Sequence, residues 1–340
     1  MKIFYSSKQT RHMPSRSFYQ GRFAPAHESP ERIACLLRAL ERGGYVSSEP
    51  EDAGLAPILA VHDKDYVEFV RNAWSHWRGD STNAEVIPNV FPSSRERVRE
   101  RTTLPLLAQA GVYMGDLSCP IGEGTFDGAY WSAQTAVAAA NAVLAGETLA
   151  FALCRPPGHH ALRDRASGYC FFNNAAIAAV RLRERYARVA IVDFDLHHGD
   201  GTQAIFYTCG DVLTASTHAD PRDTFPFFSG AAHEYGEGEG LGANLNIPLP
   251  AGADDEAFTA AVAALLERAR AFGAEALVIA AGWDAHGDDP LSRFEVTSAA
   301  YARIARLVRA QALPVVIVQE GGYHLGAIGD ALLAFLGGLA

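Results

Sequence analysis

The sequence predicts an α/β chain built on a single central parallel β-sheet with helices on both faces. Two observations lead there. Short apolar runs at 148–154, 187–193, 211–217, 275–283 and 313–320 are nearly unbroken in Val, Ile, Leu and Ala, as strands are when both of their faces are covered. Helical patterns at 129–145, 175–186, 255–272 and 296–311 alternate with these runs. Such alternation marks βαβ units, whose right-handed crossovers lay helices on both sides of one sheet.

The punctuation agrees. Asp254 and Thr297 suit helix starts, and Gly273 suits a helix stop. The stretch from about 77 to 124 departs from the rhythm, with Pro88, Pro92, Pro105, Pro120 and the charged run 94–101. It lacks apolar periodicity of its own, so it reads as an inserted excursion within one domain spanning 1–340. The Arg/Glu run reads as a solvated face or short helix, or else as a subunit-interface arm. A second irregular stretch, 220–242, is rich in Gly, Phe and Pro and reads as a loop at the edge of a site.

Composition excludes several classes. The 340 residues are 49% apolar and 20% charged, enough for a large core and too apolar for a disordered chain. Lys and Arg number 29 against 39 Asp and Glu, a net charge of −10. That disfavours nucleic acid and tolerates a small cationic substrate. Five scattered cysteines without a CxxC argue against a disulfide framework or a Cys-based zinc site. No apolar run reaches bilayer length, and the N-terminus lacks a signal-peptide plan. The expectation is a cytoplasmic protein with neither membrane nor nucleic-acid partners.

Chemistry gathers where the predicted strands end, the edge at which open α/β sheets bind ligands. The run at 187–193 continues Asp193-Phe194-Asp195-Leu196-His197-His198-Gly199-Asp200. In an extended segment Asp193, Asp195 and His197 share one side, and aligned carboxylates repel unless a cation or proton compensates. Asp284 follows the run at 275–283. Asp195, His197 and Asp284 would form an O/N/O set with an open position, the layout of a catalytic metal site. Zinc, iron, cobalt and manganese all suit such donors. Asp284 could equally be a helix cap. His159 and His160 follow 148–154 and could serve as general base and acid. Asp193 and Asp200 are natural orienters of their rings. Tyr323, after Gly321-Gly322, could donate to a developing oxyanion. Together the groups suit metal-assisted hydrolysis of an amide. A binuclear manganese ureohydrolase using His286 and Asp288 as well, or a binding module without catalysis, are the alternatives.

These motifs resemble the zinc-dependent deacetylases of the arginase–deacetylase fold, the histone deacetylase-like family. The matches are His27–Arg32, Arg155-Pro156-Pro157-Gly158-His159-His160, Gly168–Asn174, Asp193–Gln203, Asp284 with Asp289-Pro290-Leu291, and Glu320-Gly321-Gly322-Tyr323. The chain is most similar to the bacterial acetylpolyamine amidohydrolases, which share the long excursion. The resemblance implies one zinc ion on Asp195, His197 and Asp284, with His159 and His160 as the proton-transfer pair and His160 as base. It implies Tyr323 as oxyanion donor, Asp193 orienting His159, and Asp200 orienting His160. Tyr169 and Phe225 would wall the substrate channel. It implies structural potassium near Asp193, Asp195, His197, Ser216 and Thr217, and a second near Phe206, Cys209 and Val212. It also implies a homodimer through the excursion and an acetylated small-molecule amine as substrate, acetyl-lysine on proteins being the alternative. Three departures bear on the substrate. Asp200 stands where the polyamine branch carries Asn. Leu291 and Ser118 stand where polyamine-specific relatives carry acidic residues. Asp116, Glu123, Asp220 and Asp223 remain as acids that could meet a distal ammonium.

Overall fold

The computed structural model describes residues 1–19, 21–77 and 85–340. The N-terminal part contains strand β1 (Lys2–Phe4), the hairpin β2 (Ser17–Tyr19) and β3 (Arg22–Ala24), helix α1 (Pro30–Arg42) and strand β4 (Ser47–Ser48). Helices α2 (Ala56–Leu59), α3 (Lys64–His76), α4 (Leu106–Tyr113) and α5 (Thr125–Leu144) follow. The remainder alternates: β5 (Leu149–Ala152), α6 (Asn174–Leu182), β6 (Val189–Asp193), α7 (Asp200–Phe206), β7 (Val212–Ala219), β8 (Asn244–Leu249), α8 (Asp255–Phe272), β9 (Ala276–Ala281), α9 (Ser298–Ala310), β10 (Val315–Gln319) and α10 (Ile328–Leu339).

Eight strands form one sheet in the order β4-β1-β5-β10-β9-β6-β7-β8, and every pairing is parallel. All carboxyl ends therefore emerge at one edge. The central strands β5, β10, β9 and β6 are sequential neighbours in the sheet, although β5 and β10 lie far apart in the chain. This order brings the four motif-bearing loops side by side.

The near-continuous apolar runs have the cause the sequence predicts. Alternate residues of each central strand enter two different cores. Ala150, Ile191, Val278 and Val316 face α5 and α6, whereas Phe151, Val192, Ile279 and Ile317 face α1, α8, α9 and α10. Each is at most 1% exposed, so neither side of these strands can be polar. The caps also match: Asp254 accepts from the Glu256 and Ala257 amides, Thr297 from Ala299, and Gly273 closes α8 at φ 77.

Strands β1, β4 and β8 carried no such signal. β4 is two serines at the sheet edge, and β8 reads Asn-Leu-Asn-Ile-Pro-Leu, with Asn244 and Asn246 buried through hydrogen bonds. Part of the predicted excursion, 78–84, lies outside the described residues. The rest is bound into the fold. Ala110, Val112, Tyr113 and Met114 are core residues. Arg95, in the charged run, donates to the carbonyls of Val112 and Met114. No helix among the described residues is long and apolar enough to cross a membrane.

Candidate active site

Strand β6 ends at Asp193, so strict alternation does not continue to His197. A turn replaces it. The Asp195 amide donates to Asp193 Oδ1 at 3.0 Å, and the His197 amide donates to Asp195 Oδ1 at 2.9 Å. The turn separates Asp193 from the group formed by Asp195, His197 and Asp284, whose ligand atoms all lie within 4.8 Å of one another. It is the one such group of three among the described residues; His286 and Asp288 do not add a second. Two buried carboxylates here face one ring: His197 Nδ1 is 3.1 Å from Asp284 Oδ2 and 3.3 Å from Asp195 Oδ1. Burial disfavours charge on His197, yet the carboxylates push it up to about 10. Such surplus negative charge is what a divalent cation neutralises.

Two glycines leave room for these oxygens. A Cβ on Gly282 would fall 2.1 Å from Asp195 Oδ2, and one on Gly321 would fall 2.3 Å from Asp284 Oδ2. The donor set and the cradle fit a metal ion.

The histidine pair stands beside this group, the rings 4.0 Å apart. His159 Nδ1 is 3.0 Å from Asp193 Oδ2, and His160 Nδ1 is 2.7 Å from Asp200 Oδ1. The two rings titrate oppositely. Burial disfavours charge on both. At His159 the carboxylates of Asp195 and Asp193 outweigh burial and hold the pKa well above the usual range. At His160 nothing outweighs it, and His159, His197 and His198 add repulsion, so its pKa lies well below. Burial pushes Asp200 up to about 7. His198 turns away to Ser229 and Gln203.

Tyr323 is 9% exposed and reaches the same space. Its loop is clamped from below. Asp289 accepts the Tyr323 and His324 amides at 2.7 and 3.0 Å. Arg32 donates to the carbonyls of Gly322 and Glu320 and lies 4.7 Å from the centre of the Tyr323 ring. Glu28 is buried between Arg32 and Arg155.

A cavity of about 510 Å³ opens onto His160, His197 and Tyr323, within the usual range for a small-molecule site. Tyr169, Phe225 and Leu291 line it, as do Asp116, Ser118, Asp220 and Asp223; Glu123 does not. Phe225 meets His160 edge-on at 4.8 Å, and Tyr169 meets Tyr323 at 5.7 Å.

Residues 26–339 match the histone deacetylase domain family. The chain belongs to this family. The acetylpolyamine amidohydrolase of Burkholderia pseudomallei is 45% identical over 99% of this chain and 98% of its own length. That of Mycoplana ramosa is 39% identical over the full length of both. A crystal structure of the Burkholderia pseudomallei acetylpolyamine aminohydrolase superposes with a TM-score of 0.95, covering 99% of this chain and 98% of that one. The fold is thus the arginase–deacetylase fold, and the protein is a hydrolytic deacetylase.

Several residues of this deacetylase site carry no role in the reading from sequence. Asp289, Arg32 and Glu28 hold the Tyr323 loop, and Gly282 makes one wall of the cradle. Glu320 accepts the Gly158 and His159 amides at 2.6 and 3.1 Å, fixing the histidine loop to the end of β10. All but Gly282 lie inside a quoted motif, but each also works on a partner distant in the chain, so spacing alone cannot reveal that work.

Proposed function

We propose that the protein is a zinc-dependent amidohydrolase that removes acetyl groups from N-acetylated polyamines in the cytoplasm. The observation that carries this reading is that His197, grouped with the buried Asp195 and Asp284, opens together with His160 and Tyr323 onto one aromatic-walled cavity. The substrate class is supported by the full-length relatives named acetylpolyamine amidohydrolases. A cytoplasmic setting is consistent with five free cysteines.

Asp195, His197 and Asp284 would hold the zinc. Zinc bound there would polarise the acetyl carbonyl and acidify a water molecule. His160, kept neutral by burial and by neighbouring rings, has its Nδ1 turned to Asp200, leaving Nε2 to take the water proton. His159 Nδ1 lies 3.0 Å from Asp193 Oδ2, which orients the ring beside the reacting carbon. The Tyr323 hydroxyl donates to the developing oxyanion; burial raises its pKa well above the usual range, so it keeps its proton. A proton from the histidine pair then goes to the leaving amine. Tyr169, Phe225 and Leu291 confine the aliphatic chain.

Structural potassium is assigned to the turn around Asp193, Asp195, His197, Ser216 and Thr217; β6 places Asp193 in register with Ser216. A second is assigned near Phe206, Cys209 and Val212. A homodimer through the excursion is supported by its exposed apolar residues Val90, Phe91 and Leu107. Val90→Asp with Leu107→Asp should then give monomers in light scattering; an unchanged dimer would reject that interface.

The deciding experiment is kcat/KM of the zinc-loaded protein on N-acetylputrescine beside an acetyl-lysine peptide. Preference for the acetylpolyamine supports the reading. Preference for the peptide overturns the substrate class and points to a protein deacetylase.

A further inference from the structure

The irregular stretch 220–242 carries Phe225 into the cavity, edge-on to the His160 ring. It leaves the sheet at Asp220, whose amide donates to the Leu249 carbonyl of β8 at 3.0 Å. From Pro221 to Phe228 the hydrogen bonds are all local among the described residues: Arg222 and the Asp223 amide to Asp220, Phe227 to Thr224, and Phe228 to Pro226. The chain is next tied to the rest of the fold at Ser229 and Gly230. The Ser229 hydroxyl lies 3.0 Å from His198 Nδ1. Gly230 is buried and held at both backbone groups: its amide donates to Glu234 Oε2 at 2.9 Å, and its carbonyl accepts from His218 Nε2 at 2.9 Å. A carbonyl only accepts, so His218, kept neutral by burial, carries its hydrogen on Nε2 and takes the Ser216 hydroxyl, 2.8 Å away, on Nδ1. The φ of Gly230 is 102, and a Cβ there would fall 2.8 Å from both His198 Cγ and His218 Nε2, so only glycine fits this seat.

The acceptor of the Gly230 amide is braced from behind. Glu234 Oε2 also accepts from Gln203 Nε2 at 2.6 Å and from Asn246 Nδ2 at 3.2 Å. Gln203 Oε1 in turn accepts from Asn244 Nδ2 at 2.9 Å and from His198 Nε2 at 3.1 Å. Gln203, Asn244, Asn246, His198 and His218 are each at most 8% exposed. One oxygen of a half-buried side chain is thus the meeting point of the loop, helix α7 and strand β8. Helix α7 begins with Asp200, the partner of His160. The same node therefore ties the loop to the helix that orients the ring Phe225 touches. Glu234 itself does not line the cavity. A buried amide stripped of its acceptor is costly, so loss of this oxygen releases Gly230 and, with it, the unbraced segment that carries Phe225.

We propose that Glu234 is a positioning residue: acting through Gly230, it fixes Phe225 beside His160 and so sets the girth of amide the cavity admits. This rests on the acetylpolyamine reading above. The test uses the zinc-loaded full chain and two amides that carry the same kind of distal ammonium, N-acetylputrescine and the bulkier N-acetyl-p-xylylenediamine. Wild type should favour the slender one. In Glu234→Ala the ratio of the two kcat/KM values should fall roughly tenfold, mainly through a higher KM for N-acetylputrescine. The ratio does not depend on the fraction of folded enzyme, so a loss of stability alone leaves it unchanged. Glu234→Gln, whose amide oxygen can take the place of Oε2, should restore most of the selectivity. Hydrogen exchange on wild type needs no variant: the Gly230 amide should be protected to the level of β8, and rapid exchange there would overturn the proposal. If wild type hydrolyses neither amide, the acetylpolyamine reading falls and the role of Glu234 falls with it. If wild type uses both equally well, the wall does not select by girth and the proposal is overturned. If wild type favours the slender amide and Glu234→Ala keeps the full ratio, or Glu234→Gln loses as much as Glu234→Ala, Glu234 does not position the wall and the acetylpolyamine reading stands.

Discussion

The floor and the mouth of the cavity are built by opposite rules. At the floor, Asp193, Asp195, Asp284, His159 and Glu320 are buried, and each is hydrogen-bonded to a group from another loop. At the mouth, Phe91, Phe227, Asp223 and Arg293 are exposed, and the last two are unpaired among the described residues. The floor is cross-braced between loops that follow β5, β6, β9 and β10, so moving one group disturbs the rest. The mouth belongs to three irregular segments whose exposed side chains answer mainly to solvent. A site can therefore keep one chemistry at its base while its selectivity changes at its rim.

The largest effect that would sharpen this contrast is at the floor. Asp195→Ala should abolish metal retention and lower kcat by at least about a thousandfold, because it removes a ligand and strips the Gly321 amide of its acceptor. Full metal occupancy by elemental analysis would break the assignment. Next comes Tyr323→Phe, expected to cut kcat by about 10²–10³ with zinc still bound; near-normal turnover would remove the tyrosine from the chemistry. Gly282→Ala should follow. Its Cβ would sit 2.1 Å from Asp195 Oδ2, so the carboxylate must shift, and zinc affinity should fall by roughly 10–100-fold. At the mouth, Phe227→Ala should act chiefly on KM, by about threefold. A kcat loss as large as that of Tyr323→Phe would erase the distinction between the two regions.

The same contrast explains what the sequence shows. The floor was legible because its groups are reactive types placed at strand ends: Asp195, His197 and Asp284 come together, and Asp193 and Asp200 pair with His159 and His160. The five central strands were legible because burial on both faces leaves an apolar run. Hidden from a local reading were partners joined by topology. Asp289 beneath Tyr323, Arg32 behind Gly322 and Glu320 under His159 all cross at least 30 residues. β4 and β8 were hidden because edge strands of Ser and Asn bury little hydrocarbon. At the mouth, Asp116, Asp220 and Asp223 look alike in the sequence. Only the hydrogen bonds on the first two tell them apart from the third.

The smallest effect concerns the scaffold beneath the floor. His62 Nδ1 donates to the Leu162 carbonyl at 2.9 Å, and its Nε2 accepts the Asn173 amide at 2.8 Å. Asn173 in turn donates to the carbonyls of His159 and Ala161, so His62 braces the loop that carries the histidine pair. A protonated ring would lose the Nε2 acceptor, and burial lowers its pKa from 6.5 to about 4. Between those values the unfolded chain binds the extra proton and the folded chain does not. Stability therefore rises with pH across that window, and the loss on acidification is complete below about 4. The full contribution of this ring is roughly 3 kcal/mol. Glu320 works in the opposite sense, since burial pushes it up to about 8 and its contribution fades as pH rises towards that value. Comparison with His62→Gln isolates the ring: its urea midpoint should change less than that of wild type between pH 6.5 and 4. Parallel slopes would show that His62 does not titrate in that window. A bracing role would then require the ring to stay neutral throughout, and acid sensitivity would have to arise elsewhere, with His12 and His218, both lowered to about 4, as the next rings to replace.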